Sequence, residues 1–172
     1  MDEIDPSALR ALLDRQAILD CLQRCTRGID RLDEELVLSA FHEDAVDHHN
    51  SHTGTPTEFV AWFWGRQEKR AGCQHYVTNT VIDLDGDTAH VETYFLATNR
   101  QEGEDVMDLS GGRYVDRFER RGGEWRIALR QVVPEWKLTG DCSKTATELV
   151  LRQSGGRRDG SDISYERPLT RG

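Results

Sequence analysis

Hydrophobic residues near the start of the chain recur at steps of three and four, which is the spacing of one face of an α-helix. They are Leu9, Leu12, Leu13, Leu19, Leu22, Cys25 and Ile29. Asp5 can accept a hydrogen bond as the N-cap residue, and Pro6 suits the first helical position. Gly28 weakens the end of this helix. A shorter second helix is predicted to begin after Asp33, another N-cap acceptor.

A third helix is predicted from the segment "TPTEFVAWFWGRQ". Thr55 and Glu58 have the spacing of a capping box, and Pro56 occupies the first helical position. Three aromatic side chains then share one face: Phe59, Trp62 and Phe63. Between the second and third helices, residues 44–50 are predicted to form a short strand.

After Gly72 the hydrophobic period changes from that of a helix to two, which indicates β-strands. Asp85-Gly86 is a strong hairpin signal, and "RRGGEW" predicts a second tight turn. The predicted strands cover residues 74–84, 87–98, 109–120 and 124–134. The fold class is therefore α+β, with helices covering one face of a curved antiparallel sheet.

The composition changes after about residue 140, where apolar side chains become few. We interpret residues 1–140 as one domain and residues 141–172 as a polar C-terminal tail. The tail is expected to be partly flexible or packed on a neighbouring subunit.

The face on which His75 lies depends on the strand register. His75 and Asn79 share one face by alternation, and a two-residue loop at Asp85-Gly86 puts Ile82 on the face of Ala89. Alternation from Ile82 back to His75 places the two side chains on opposite faces. The count therefore does not settle which way His75 points. A β-bulge is needed for His75 to share the concave face.

Charge and composition exclude several classes of function. The net charge is −9 and the pI is about 5.1, which disfavours binding to nucleic acid or to anionic lipid. No apolar run approaches the length that spans a bilayer, and the acidic N-terminus does not resemble a secretory signal. We therefore expect a cytoplasmic protein with no membrane or nucleic-acid partner. The four cysteines form no C-x-x-C pair, so neither a structural metal nor a disulfide is expected.

The stretch "RGIDRLD" contains two aspartates with different explanations. Asp33 is explained by helix capping, whereas Asp30 is not. Asp30 could pair with Arg27 or Arg31 on the surface, where such pairs contribute little. Alternatively, it could hold one ring nitrogen of a histidine so that the other acts as a base. A lone histidine such as His75 more often has only a backbone partner.

Three segments together resemble the SnoaL-like branch of the NTF2-like superfamily: "GIDRLD", "QHYVTN" and "GGEWRIALR". The resemblance covers about residues 5–136. It implies a cone-shaped α+β barrel, in which a bent antiparallel sheet wraps around the N-terminal helices and encloses an apolar cavity. The enzymes of this branch that the chain resembles include scytalone dehydratase, bile-acid 7α-dehydratases and hexachlorocyclohexane dehydrochlorinase.

The resemblance implies an activity and its residues. Asp30 and His75 match the catalytic pair of the family, and Arg130 matches an arginine of the dehydrochlorinase. We therefore interpret the chain as a small-molecule lyase, of dehydratase or dehydrohalogenase type. It would use the Asp-His pair as a general base without metal or cofactor. Arg130 would stabilise developing negative charge.

The substrate is expected to be an apolar small molecule, and six positions are candidates for contacting it: Cys25, Phe41, Trp62, Asn79, Phe95 and Tyr114. Cys25 stands where several dehydratases have a tyrosine, which puts the tyrosine-assisted route in doubt. The aromatic positions suit a hydrophobic core equally well.

Other functions stay open. An isomerase, cyclase or epoxide-opening hydrolase can use the same fold, and the small subunit of ring-hydroxylating dioxygenases uses it for assembly. The segment "DAVDHHNSH" offers metal ligands (Asp47, His48, His49 and His52), although an exposed loop is the simpler interpretation. A homodimer or homotrimer through the outer face of the sheet is also expected.

Overall fold

The helices begin where the capping residues predict. The structure, a computed structural model, describes residues 5–67, 70–101, 104–143 and 156–169. Its helices are α1 (Pro6–Arg31), α2 (Glu34–Leu38), α3 (Pro56–Trp64) and a 3₁₀ turn (Ile163–Tyr165). The side chains of Asp5 and Asp33 accept backbone hydrogen bonds at the starts of α1 and α2. Thr55 and Glu58 form the predicted capping box of α3.

Within the described part of the chain, no helix combines the length and the apolar character that crossing a bilayer requires.

Six strands form one open, mixed sheet. They are β1 (Phe41–His49), β2 (His52–Gly54), β3 (Arg70–Asp85), β4 (Thr88–Gln101), β5 (Val106–Arg121) and β6 (Glu124–Asp141). Their spatial order is β2-β1-β6-β5-β4-β3. The α+β prediction is confirmed, but a purely antiparallel sheet is not, because β1 runs parallel to β6. The turn between β3 and β4 is Gly86-Asp87, one residue later than predicted.

The hydrophobic core lies between α1 and the concave face of the sheet. Ile18, Leu22 and Ile29 of α1 belong to the same buried cluster as Val91 of β4 and Phe118 of β5. The first leucines of α1 lie outside it: Leu9, Leu12 and Leu13 are exposed. The core therefore begins about three turns into the helix.

A bulge in β3 settles which way His75 points. Ile82 pairs with Val91 and His75 pairs with Ala97, and the register shifts between Val77 and Thr80. The extra residue lets His75 and Ile82 face the same side despite their odd spacing. The same bulge leaves Asn79 exposed, and Asn79 is not among the residues that line the cavity.

A second bulge acts in the same way in β6. Phe118 pairs with Ile127 and Arg117 pairs with Leu129, which leaves Ala128 as the extra residue. Simple alternation would put Trp125 and Arg130 on opposite faces. With the bulge, both are buried on the concave side.

Gly28 allows α2 to fold back closely against the end of α1. A Cβ atom at this position would lie 2.7 Å from Cγ2 of Val37 and 2.8 Å from its backbone nitrogen. The close approach fixes the chain direction after the last turn of α1, where Asp30 lies.

Candidate functional site

Asp30 and His75 form a direct pair, and His75 lies on the wall of a cavity. The ring nitrogen Nδ1 of His75 lies 2.7 Å from Oδ1 of Asp30, and the backbone N–H of His75 donates to Oδ2 at 2.9 Å. Two hydrogen bonds to one carboxylate fix the orientation of the imidazole ring. Among the described residues, Nε2 of His75 makes no hydrogen bond. It is therefore the nitrogen available to a molecule in the cavity.

The pair also sets the protonation of His75. Burial disfavours the charged ring, but the hydrogen bond to Asp30 and the nearby Cys73 outweigh this effect and raise the pKa of His75 to about 9. The ring is therefore protonated at neutral pH in the free protein. His75 can act as a base only after its ring has lost this proton.

The stability of the protein should depend on pH through this pair. A histidine with a raised folded-state pKa contributes stability that is fully present below its unfolded pKa, near 6.5, and lost as the pH rises through about 9. We expect the stability advantage of the wild type over His75→Asn to shrink by up to about 3 kcal/mol between pH 6 and pH 10. Urea unfolding of both proteins across this range measures it. An advantage that stays constant with pH would contradict the raised pKa.

The cavity has a volume of about 580 Å³ and is lined by both apolar and polar side chains. The apolar ones are mainly Trp62, Phe63, Phe95, Ala97, Tyr114 and Val132. The polar ones include Arg66, Arg70, Asn99, Asp108 and Lys137. Three of the predicted contact positions, Trp62, Phe95 and Tyr114, thus lie on the cavity wall. A pocket of this size and character suits a small, largely apolar molecule with a polar end.

Arg130 lies beneath the cavity wall instead of on it. Its Nε and Nη2 atoms donate to the two carboxylate oxygens of Asp116 at 2.9 and 2.7 Å, and both side chains are buried. Its guanidinium lies 4.2 Å from the centroid of the Tyr114 ring, whose other face stacks on Phe95 at 4.5 Å. Because Asp116 neutralises Arg130 and Tyr114 covers it, the predicted contact of Arg130 with developing charge in the cavity is not what the structure shows.

Two further predicted contacts are also corrected. Cys25 is fully buried, and its sulfur lies 3.6 Å from Nη1 of Arg130 instead of lining the cavity. Burial raises the pKa of the Cys25 thiol to about 11. Phe41 begins β1 and packs in the core, where the Arg130 guanidinium lies 5.6 Å from its ring centroid. Both residues support the buried Arg130–Asp116 pair.

The histidine-rich segment forms the β1–β2 hairpin, which confirms the short strand predicted at residues 44–50 and replaces the exposed loop expected for the histidines. His48 bonds to Thr53, and His52 stacks on Trp62. The ring of His49 lines the cavity, and its Nδ1 lies 3.5 Å from Oδ1 of the fully buried Asp47. His49 and His52 are directly paired across the hairpin and both rings lie against Trp62, but the possible metal-binding group found among the described residues does not include them.

A group of side chains that could hold a metal ion occurs elsewhere, at Asp30, Cys73 and His75. One ligand atom from each lies within 4.8 Å of the others. Cys73 Sγ lies 3.7 Å from His75 Nδ1. An ion bound there would compete with the hydrogen bond between Asp30 and His75.

Sequence reasoning did not identify Asp116 or Arg158. Asp116 interrupts the apolar alternation of Tyr114 and Phe118 on the inner face of β5, which is the signal that could have identified it. Arg158 comes from the segment assigned to the tail. It donates to the backbone oxygen of Asp30 at 3.2 Å and to Oε1 of Gln67 at 3.0 Å. The described residues 156–169 thus pack on α1 of the same chain, and the rest of residues 144–172 lie outside the described residues.

A bent sheet wrapped around helices, with a cavity between them, is the architecture of the NTF2-like superfamily. The SnoaL-like domain matches residues 10–131, and the chain belongs to this family. No curated protein matches the chain in sequence.

Several solved structures share the fold. A putative scytalone dehydratase from Novosphingobium aromaticivorans is 22% identical with a TM-score of 0.68, over 76% of this chain and 89% of that one. A hexachlorocyclohexane dehydrochlorinase, LinA-type3 from Novosphingobium barchaimii, is 20% identical with a TM-score of 0.69, over 77% and 94%. A putative aromatic ring hydroxylase from N. aromaticivorans is 21% identical with a TM-score of 0.68, over 76% and 94%. At these identities the likeness concerns the fold.

Proposed function

We propose that the protein is a lyase that eliminates water or a hydrogen halide from an apolar small molecule. The observation that carries the proposal is the 2.7 Å contact between Asp30 and His75 at the cavity wall. A carboxylate that holds Nδ1 of an imidazole leaves Nε2 to remove a proton, and it stabilises the imidazolium that forms. The names of two structural neighbours, a dehydratase and a dehydrochlorinase, support the same reaction class.

In this mechanism His75 acts as the base and Asp30 as its positioning residue. The neutral ring takes a proton from carbon, the C–H electron pair forms the double bond, and the leaving group departs with the electrons of its own bond. The raised pKa of His75 makes the ring a stronger base, at the cost of a smaller neutral fraction at pH 7. The chemistry assigned to these residues needs no metal or cofactor.

The cavity suggests the kind of substrate. The aromatic side chains of the lining suit an apolar ring system, and its arginines and Lys137 suit a carbonyl or another electron-rich group. A carbonyl next to the C–H bond would make its proton easier to remove. The probes chosen below therefore combine an aryl group with a ketone.

Two probes test the proposal: the β-hydroxy and β-chloro derivatives of the same aryl ketone. We expect the wild-type protein to convert at least one of them to the unsaturated ketone, detected by mass spectrometry. We also expect kcat/KM for the β-chloro derivative to rise with pH up to about 9, because His75 acts in its neutral form.

A second measurement separates elimination from other reactions on the same fold. The parent aryl ketone in D2O reports removal of the α-proton by uptake of deuterium. Deuterium uptake without an unsaturated product from either derivative would favour an isomerase. If neither deuterium uptake nor elimination occurs, the proposal is contradicted and a binding or assembly role is favoured.

A further inference from the structure

We propose that His49, positioned by Asp47, is a second catalytic residue that gives a proton to the departing oxygen of a hydroxyl substrate. The inference rests on the proposed lyase function and deepens it, since it names the leaving group for which the site is built. Elimination of water requires a proton donor as well as a base, because hydroxide is a poor leaving group. Halide needs no such donor.

Asp47 and His49 lie between the core and the cavity, with Asp47 opposite Arg130 in the pairing of β1 with β6. Asp47 is fully buried, and neither of its carboxylate oxygens has a hydrogen-bond partner among the described residues. Nδ1 of His49 likewise has no hydrogen-bond partner among the described residues, and it lies 3.5 Å from Oδ1 of Asp47. A small rotation of either side chain closes this gap to a hydrogen bond. A buried carboxylate without a partner is costly, and Nδ1 of His49 is a group that can donate a hydrogen bond to Asp47.

The position of the ring suits a proton donor. His49 lines the cavity at the end of β1, and its ring stacks on Phe59 with centroids 4.9 Å apart. The Trp62 ring also packs near the His49 ring, with their centroids 5.8 Å apart. With Nδ1 turned to Asp47, Nε2 is the ring atom left for a molecule in the cavity. Asp47 and His49 are two residues apart on one strand, so their side chains share a face.

The other candidate donors are less suitable. Cys25, at the position of the family's tyrosine, is buried away from the cavity, and its thiol has a pKa of about 11. Arg130 is paired with Asp116 and does not line the cavity. Tyr114 does line it, but burial raises the pKa of its phenol. Tyr114 is therefore the alternative donor that an experiment has to exclude.

The proposed step balances in protons and electrons. His75 takes the proton from carbon, and the C–H electron pair forms the double bond. The C–O bond breaks with its electrons going to oxygen, which receives the Nε2 proton of His49 and leaves as water. His49 ends neutral and His75 ends protonated. A proton passing to and from solvent restores both.

The β-hydroxy and β-chloro aryl ketones test the role of His49. His49→Phe keeps an aromatic ring against Phe59 but removes both nitrogens. We expect it to lower kcat for the β-hydroxy probe by about 100-fold or more and to change kcat for the β-chloro probe by less than about threefold. His48→Phe, on the neighbouring residue that bonds to Thr53, is the matched control and should affect neither. Equal losses with both probes, no loss with either, or a selective loss in Tyr114→Phe instead would overturn the assignment.

The pairing with Asp47 can be tested without turnover. ¹⁵N NMR of histidine side chains reports which ring nitrogen carries the proton. In the wild type we expect neutral His49 to carry it on Nδ1, facing Asp47, and in Asp47→Asn we expect that preference to be lost. A wild-type His49 protonated on Nε2 when neutral would overturn the pairing. If the wild type converts neither probe, the proposed lyase function fails, while this spectrum still decides the Asp47–His49 pairing.

Discussion

Replacing Arg130 by methionine should destabilise the protein by about 3–5 kcal/mol, the usual cost of removing one partner from a buried ion pair. Arg130 donates two hydrogen bonds to Asp116, and both side chains are buried. Without the guanidinium, the Asp116 carboxylate stays in the core with no countercharge. The buried Asp47, whose charge disfavours that of Asp116, adds to the cost. The free energy of unfolding in urea measures the loss.

Two comparisons make this result specific. The double variant Arg130→Met with Asp116→Leu should recover much of the loss, because it removes both charges and leaves an apolar pair of similar size. Arg121→Met removes a partner from the exposed Arg121–Asp44 pair and should cost no more than about 1 kcal/mol. A loss of less than about 1 kcal/mol in Arg130→Met itself would show that the buried pair is not needed for folding.

His75→Ala should lower kcat/KM for the aryl ketone probes by about 10²–10⁴-fold, the range for loss of a positioned acid–base group. Asp30→Asn should cause a loss of similar order, because the amide cannot stabilise the imidazolium. The fold should survive both changes, since each affects one hydrogen-bonded pair at the cavity wall. Steady-state kinetics with far-UV circular dichroism checks both points.

His90→Ala is the control for these variants. His90 lies on β4 with an exposed side chain on the outer face of the sheet, so its loss should leave kcat/KM unchanged within about twofold. Normal turnover by His75→Ala would rule out the proposed mechanism. A comparable loss in His90→Ala would point to a general effect on the fold.

Local signals along the chain were enough to predict the three α-helices and the five longer strands in their order, but not the short strand β2 or the 3₁₀ turn. The capping residues Asp5, Asp33 and Thr55 mark the helix starts because their hydrogen bonds are made within a few residues. The period of two identifies the long strands for the same reason. The strands extend beyond their predicted ends, because pairing with a neighbouring strand can continue where the alternation in sequence fades.

The site was predictable only in part, since it depends on register. Alternation alone left the direction of His75 undecided, and the bulge between Val77 and Thr80 turns it inward. The contact between the buried side chains of two neighbouring strands could not be predicted from the sequence. Arg130 lies opposite Asp116 on the neighbouring strand, and this single contact converts an expected catalytic group into part of the core.

The contact of Arg158 with the last turn of α1 joins two segments that are far apart in sequence. Arg158 donates to the backbone oxygen of Asp30 from a position 128 residues later. On the ribosome α1 is made long before Arg158, so the turn that carries Asp30 lacks this support until Arg158 has also been made. A protease that removes the segment around Arg158 takes the same support away. Damage to this segment thus affects the wall of the cavity.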